Sequence, residues 1–407
     1  MSRSGNTGSR RGQLGGNVHG TVAAGFEPVK EAFERNFTEF GEEGAATAVY
    51  VKGRKVVDLW GGIADHTTGR PWTEGTLSLV WSTTKGPAAM CVLLLAQRRE
   101  IDLNAPVARY WPDFAQNGKD RTTVRMVLSH QAGLPCLDKQ LTADDLLDGS
   151  GVVKALEQQA PVWEPGTNHG YHAITMGYLV GELVKRVSGR TLGRFFAEEI
   201  AAPLGLDFFI GLPPEHEHRV SRIIEKRATD PDVLDSLPKG EVRELGELYA
   251  KAVADPRSLT VRAFSVGGFR DTLFNDPRYR TAELPWGNGI GDARSLARLY
   301  AACVGEVDGV RVLSDATIKD ATREQGFRRD AVLIYPTRWS SGFMLPTEMA
   351  PWLSDTSFGF TGAGGHVGFG DIEARVGFAY TMTKMFGNLT GDPRPAAVLD
   401  ALKNCLS

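Results

Sequence analysis

Ser82-Thr-Thr-Lys-Gly-Pro-Ala-Ala-Met-Cys-Val-Leu-Leu-Leu-Ala96 decides how the rest of this chain is read. Apolar residues occupy nearly every side of the helix that Ala88 to Ala96 would form, so that helix is buried. The spacing predicts a helix over 82–98 with Ser82 at its mouth. Residues three apart share a helix face, so the Lys85 amine can reach the Ser82 hydroxyl. Free N–H groups and the positive end of the helix dipole would stabilise an alkoxide or oxyanion there. Burial disfavours a charged amine and fits it to take a proton. The plainer alternative is that Ser82 only caps the helix and Lys85 snorkels to the surface. An S-x-x-K tetrad alone is weak, and a second, Ser236-Leu-Pro-Lys239, lies in a polar, proline-bearing stretch with no helix signal after it.

Outward from this helix, the pattern is strands at both ends and helices between. Phe26–Phe40 has apolar residues near helical spacing. Thr47–Val51 and Lys55–Trp60 read as a hairpin around Gly53-Arg54. Ala173–Val187 and Leu192–Ala201 read as helices. Ser341–Leu345, His366–Gly370 and Val376–Thr383 are β-like, and a last helix is expected over 395–406. This predicts a mixed α/β fold closed by both chain ends. Its expected parts are a flexible tail over 1–17, a sheet domain from 18–80 and 285–407, and a mostly helical domain over 81–284, with the active site in the cleft between the two domains.

Composition narrows the class. The 407 residues are 42% hydrophobic and 23% charged, which suits a soluble globular chain and excludes a disordered one. A net charge of −3 with no basic block gives no footprint for nucleic acid or an anionic membrane. The longest apolar run, Ala88–Ala96, is far short of the roughly 20 residues a span needs. Ser9-Arg10-Arg11 is followed by no apolar stretch, so no signal peptide is expected. Cys91, Cys136, Cys303 and Cys405 are scattered without a CxxC, which favours reduced thiols in a cytoplasmic protein.

Two further stretches carry chemistry. Tyr171 stands in Trp163-Glu-Pro-Gly-Thr-Asn-His-Gly-Tyr-His-Ala173, a turn and loop just before a helix. A phenol beside a lysine cation would have a lowered pKa and would serve as base, then acid. Phe358-Gly-Phe-Thr-Gly-Ala-Gly-Gly-His-Val-Gly-Phe-Gly-Asp371 is glycine-rich beside β-like residues, which implies close approach of backbone to a ligand. It matches no phosphate-loop or dinucleotide pattern. Ala263-Phe-Ser-Val-Gly267 misses the first glycine of a nucleophile elbow. Glu215-His-Glu-His218 alternates in a charged loop and is read as solvated rather than metal-binding. His130, His169 and His172 are read as structural or pocket-shaping.

S-x-x-K on a buried helix, W-E-P-G-x-x-x-x-Y, and an aromatic, glycine-rich strand near the end together resemble the serine β-lactamase-like superfamily, closest to family VIII carboxylesterases. Leu128-Ser-His-Gln-Ala-Gly-Leu-Pro135 and Asn288-Gly-Ile-Gly-Asp-Ala-Arg-Ser-Leu-Ala-Arg-Leu299 match as well, so the likeness spans about residues 20–400. The resemblance implies a β-lactamase/transpeptidase-like fold, a central antiparallel sheet flanked by helices plus a mostly helical domain. It implies that Ser82 is acylated, that Lys85 and Tyr171 share acid–base work, and that the N–H groups of Ser82 and Ala363 form an oxyanion hole. Which of Lys85 and Tyr171 takes the first proton stays open. Phe360, Thr361 and Gly362 take the place of the β-lactamase Lys-Thr-Gly, with His366 lining the cleft or packing nearby. No metal or organic cofactor is implied. Phe360 cannot pair with a carboxylate, and Ala173 replaces the amide of Tyr-x-Asn. Both point to a carboxylesterase of small, short-chain esters. The alternatives are an amidase, transesterase, weak β-lactamase or D-aminopeptidase-type hydrolase, or a non-catalytic penicillin-binding-like protein. The expected partner is a small-molecule ester; no nucleic acid or membrane is expected, and the oligomeric state is not legible.

Overall fold

The computed structural model describes residues 17–225, 241–269, 271–387 and 391–407. Apart from Asn17, the expected tail lies outside them, as does the tetrad Ser236–Lys239. The strands are β1 Val18–Val22, β2 Gly44–Val51, β3 Arg54–Asp65, β4 Ser357–Gly362, β5 His366–Asp371 and β6 Val376–Met382. The helices that matter here are α1 Glu27–Glu39, α2 Lys85–Gln97, α3 Thr175–Ser188, α4 Ala293–Val304 and α5 Pro393–Leu406.

The sheet runs β1-β3-β2-β6-β5-β4, with a two-residue strand, Arg70–Pro71, added to β3. Each neighbouring pair is antiparallel. The two ends of the chain join at β2–β6, where Val51 pairs with Val376 and Ala45 with Met382. Along β6 the two-residue period sends alternate side chains to opposite layers. Tyr380 packs its ring 5.8 Å from Phe33 of α1. Gly377 faces the other way, onto the backbone of α4: a Cβ there would stand 2.2 Å from the Ala297 oxygen and 2.5 Å from the Ala301 nitrogen. Beyond α4, α2 packs against α3 and carries Ser82 to the edge of the sheet.

Three expectations shift. The β2–β3 turn is Lys52-Gly53, at φ 48° and 78°, because a two-residue type I′ turn needs positive φ at both positions; Arg54 already pairs with Val51. Ser341–Leu345 forms no strand. Gly342 at φ 98° turns the chain, Met344 makes single bridges, and the strand lies earlier, at Pro336–Trp339. The expected helix over 192–201 is α-helical only to Phe196 and continues as a π-helix over Ala197–Ala201. Among the described residues no helix is long and apolar enough to cross a membrane.

Gly377→Ala should cost about 1–3 kcal/mol of stability, the usual penalty for overpacking, because the added carbon meets helix backbone that cannot rotate away. A urea midpoint equal to that of the unmodified protein would show that α4 does not seat on β6.

Candidate active site

Ser82 opens a 3-10 turn, Ser82–Thr84, rather than α-helix proper. Trp81 before it sits at φ 51°, a conformation rare for a bulky residue, so surrounding structure must hold it. The restraints are visible. The Val80 N–H donates to the Gly289 carbonyl at 2.9 Å, and the Gly289 N–H donates to the Thr84 hydroxyl at 2.8 Å. That hydroxyl in turn donates to the Trp81 carbonyl. The Trp81 ring stands edge-on to Phe274, 4.6 Å between centroids.

Lys85 is wholly buried. Its Nζ lies 3.3 Å from Ser82 Oγ and 2.6 Å from the Trp286 carbonyl oxygen. Burial alone holds the amine well below the usual lysine range. A neutral amine can donate one N–H to Trp286 and turn its lone pair to Ser82. The Trp286 carbonyl is presented by a tight loop whose clamp is the buried Asn288 side chain. Its amide donates to the Tyr279 and Ala282 carbonyls at 2.7 and 2.6 Å and its oxygen accepts from the Leu284 N–H at 3.0 Å.

The ring of Tyr171 lies 4.8 Å from Lys85 Nζ, and its phenol shares a hydrogen bond with Ser82. The three side chains the sequence singles out therefore meet. The electrostatics differ from expectation. Burial pushes the phenol above its ordinary value, the Ser82 hydrogen bond opposes this, and the Asp330 charge adds to it. The expected lowering presumed a charged lysine, and the burial of Lys85 works against that charge. Tyr171 is thus poised as a proton donor.

The loop carrying Tyr171 is held by the Leu128–Pro135 stretch. His130 Nδ1 accepts from the His172 N–H at 3.1 Å, and the Leu134 N–H donates to His172 Nε2 at 2.9 Å. His172 Nδ1 then donates to the Gly170 carbonyl at 2.7 Å, which fixes the neutral tautomer; burial takes its pKa down to about 4. Burial likewise lowers His130 and His169. These rings are scaffold, as the sequence reading has them.

Phe360 is 1% exposed, with its ring 5.7 Å from Trp339 and 6.5 Å from Tyr171. With His130 these rings wall one side of the site. Thr361 is half-buried beside Met344. Gly362 brings the end of β4 against the Ser82 turn; a Cβ on it would stand 2.3 Å from the Val80 oxygen. Among the described residues neither the Ser82 nor the Ala363 N–H meets a protein acceptor. Two free main-chain donors, one on the Ser82 turn and one where β4 ends against that turn, suit an anionic oxygen. His366 is buried elsewhere in the hairpin. It lines a cavity of about 150 Å³ with Trp352, Phe369 and Leu399, and burial brings its pKa down to about 3.

Of the signals set aside, Ser265 follows a short helix, Leu259–Phe264, not a strand, and Phe264 of the same stretch lies 6.1 Å from the Tyr171 ring. Glu217 pairs with Arg280, and His216 stacks on Phe209 at 4.8 Å. Two groups escaped the sequence reading: the Trp286 carbonyl, and the buried carboxylate of Asp330, whose Oδ1 accepts the Tyr171 N–H at 2.9 Å.

Known proteins with this arrangement are readily found. The family model for Beta-lactamase matches residues 33–403. The esterase/beta-lactamase LipL of Mycobacterium tuberculosis is 34% identical over 393 residues, which cover 92% of this chain and 85% of that protein. The crystal structure of a family VIII carboxylesterase superposes with a TM-score of 0.84 at 38% identity, covering 96% of this chain and 100% of that one. A penicillin-binding protein homologue from Caulobacter crescentus gives a TM-score of 0.84 at 35% identity over the same shares. A family model matching most of the chain places it in the beta-lactamase family, as a hydrolase of that superfamily similar to proteins named as esterases.

Proposed function

We propose that this protein is a carboxylic ester hydrolase that acts on small, short-chain esters through an acyl-enzyme on Ser82. The observation that carries the reading is the fully buried Lys85 amine 3.3 Å from Ser82 Oγ, held by burial well below the usual lysine range, with an aromatic wall in place of a cation. The esterase names of its relatives support it. The site lies where the sheet part, 18–80 with 285–407, meets the helical part, 81–284. Four free thiols suit a reducing compartment such as the cytoplasm.

The steps follow from the geometry. Lys85 takes the Ser82 proton as Oγ attacks the ester carbonyl carbon. The carbonyl oxygen becomes anionic and is held by the N–H groups of Ser82 and Ala363. The bond to the leaving oxygen breaks, and that oxygen takes a proton from Tyr171, which regains one from the Lys85 ammonium, 4.8 Å from its ring. Water then attacks the acyl carbon; its proton passes to Lys85, and Ser82 Oγ leaves and is reprotonated. An alkoxide needs only one proton to depart, so no anion-binding cation is required. Phe360 offers apolar surface where a β-lactam or peptide carboxylate would need a positive charge.

Two measurements test this. p-Nitrophenyl butyrate should be turned over with a kcat/KM at least ~10³ times that for a chromogenic cephalosporin. That margin corresponds to about 4 kcal/mol of lost anion recognition. Ser82→Ala should abolish turnover, and comparable rates on both substrates would overturn the ester assignment. The pH profile tests Lys85. Its depressed pKa predicts a flat rate around neutrality and a fall toward acid, as each proton added to the amine removes the lone pair. Lys85→Arg should lose ~10²–10⁴ in kcat at every pH, because a guanidinium does not give up its proton. A Lys85→Arg enzyme with an ordinary acid limb would remove the amine from the role.

A further inference from the structure

Asp330 is fully desolvated, and five neutral donors hold its charge. Oδ1 accepts the N–H groups of Tyr171, Val332 and Leu333 at 2.9, 2.8 and 2.9 Å. Oδ2 accepts the Thr337 hydroxyl at 3.1 Å and the Trp339 indole N–H at 3.2 Å. The His169 ring nitrogen stands 4.0 Å away, and burial opposes its protonation. A buried charge is costly unless its lone pairs are filled, and here they are filled from two directions. One is the Tyr171 main chain. The other is Trp339, whose ring lies parallel to the Tyr171 ring, at 1° and 5.7 Å between centroids. The same carboxylate thus fixes the backbone that carries the phenol and the surface on which the phenol rests.

We propose that Asp330 is the positioning residue for proton donation by Tyr171, setting where the phenol stands relative to Lys85 and Ser82. It touches neither substrate nor the reacting atoms and acts through Tyr171; the proposal rests on the ester reading above. In the step it serves, the carbon–oxygen bond of the tetrahedral adduct breaks, and its electron pair goes to the leaving oxygen. That oxygen takes the Tyr171 proton. A p-nitrophenolate leaves without needing that proton, whereas an alkoxide does need it.

The test compares two leaving groups in Asp330→Asn, which keeps shape and loses charge. On ethyl butyrate kcat should fall 10- to 100-fold with KM within twofold, while kcat on p-nitrophenyl butyrate stays within threefold. Tyr171→Phe should lose more on ethyl butyrate than on p-nitrophenyl butyrate, and the double variant should lose no more than Tyr171→Phe alone on either ester. Equal losses on both esters, or additive losses, would mean that Asp330 only supports the fold. A second readout does not depend on turnover. The near-ultraviolet circular dichroism from the Tyr171–Trp339 stack, identified by its loss in Trp339→Phe, should be diminished in Asp330→Asn. An unmodified enzyme that cleaves neither ester would end the ester reading alone. An unchanged dichroism band would end the positioning proposal whatever the substrate.

Discussion

A lysine amine stripped of water beside a serine hydroxyl is the constraint on which the remaining architecture depends. Its shift comes from burial alone, and its fixed acceptor is a main-chain carbonyl, that of Trp286. A carboxylate in that place would hold the proton on the amine and end its use as a base. A neutral carbonyl orients the amine and leaves its lone pair free. The demand is then for dryness and precision together. Dryness comes from α2, whose residues Lys85 to Leu95 are all buried. Precision comes from Asn288, which ties the Trp286 loop at three points.

Dryness has a second effect. The phenol that leans on Lys85 is pushed toward its protonated form by the same burial. On the ester reading proposed above, a low-dielectric pocket separates the two groups by role: the amine accepts a proton and the phenol gives one. Neither group needs a strong charged neighbour, so the wall opposite is free to be aromatic. Phe360, Trp339 and His130 fill it.

How much of this was legible in the sequence varied with the kind of signal. Ser82 and Lys85 were readable because their spacing is a local fact and the helix around them is apolar on every side. The hairpin of β2 and β3 was readable from β-rich runs on either side of a glycine turn, and β5 and β6 from their β-like residues, while Ser341–Leu345 misled because Gly342 breaks an otherwise β-like run. Tyr171 and Ala363 were reachable only through resemblance, since a lone tyrosine or alanine carries no mark of its role. The Trp286 carbonyl had no signal at all, because it is a main-chain atom placed by a distant amide. Asp330 sits beside Arg328 and Arg329 and looks like part of a solvated charged turn. Its burial follows from where residues 330–339 fold, which no local pattern encodes. The sign of the tyrosine shift was misread for a related reason: the state of Lys85 depends on how dry the finished pocket is.

The oxyanion side of the site is tied to the chain ends by a buried ionic cluster. Arg394, at the start of α5, donates to the Gly364 carbonyl at 3.0 Å and to the Lys384 carbonyl at 2.8 Å. It pairs with Asp392 at 2.6 Å and Glu42 at 3.1 Å, and Tyr380 donates to Glu42 at 3.0 Å. Asn36 of α1 reaches both the Tyr380 hydroxyl and the Arg394 carbonyl. Apolar residues of the same volume would often be at least as stabilising as such a buried cluster. What apolar residues could not do is grip a carbonyl in a three-residue turn. Gly364, at φ 84°, immediately follows Ala363 in that turn, so fixing its oxygen fixes the peptide beside the Ala363 N–H. The first helix, Glu42 just before β2, Tyr380 of β6 and the last helix thus converge on one peptide at the edge of β4. The mixed order of the sheet, with amino- and carboxy-terminal strands side by side, is what brings that anchor within reach of a serine in the middle of the chain.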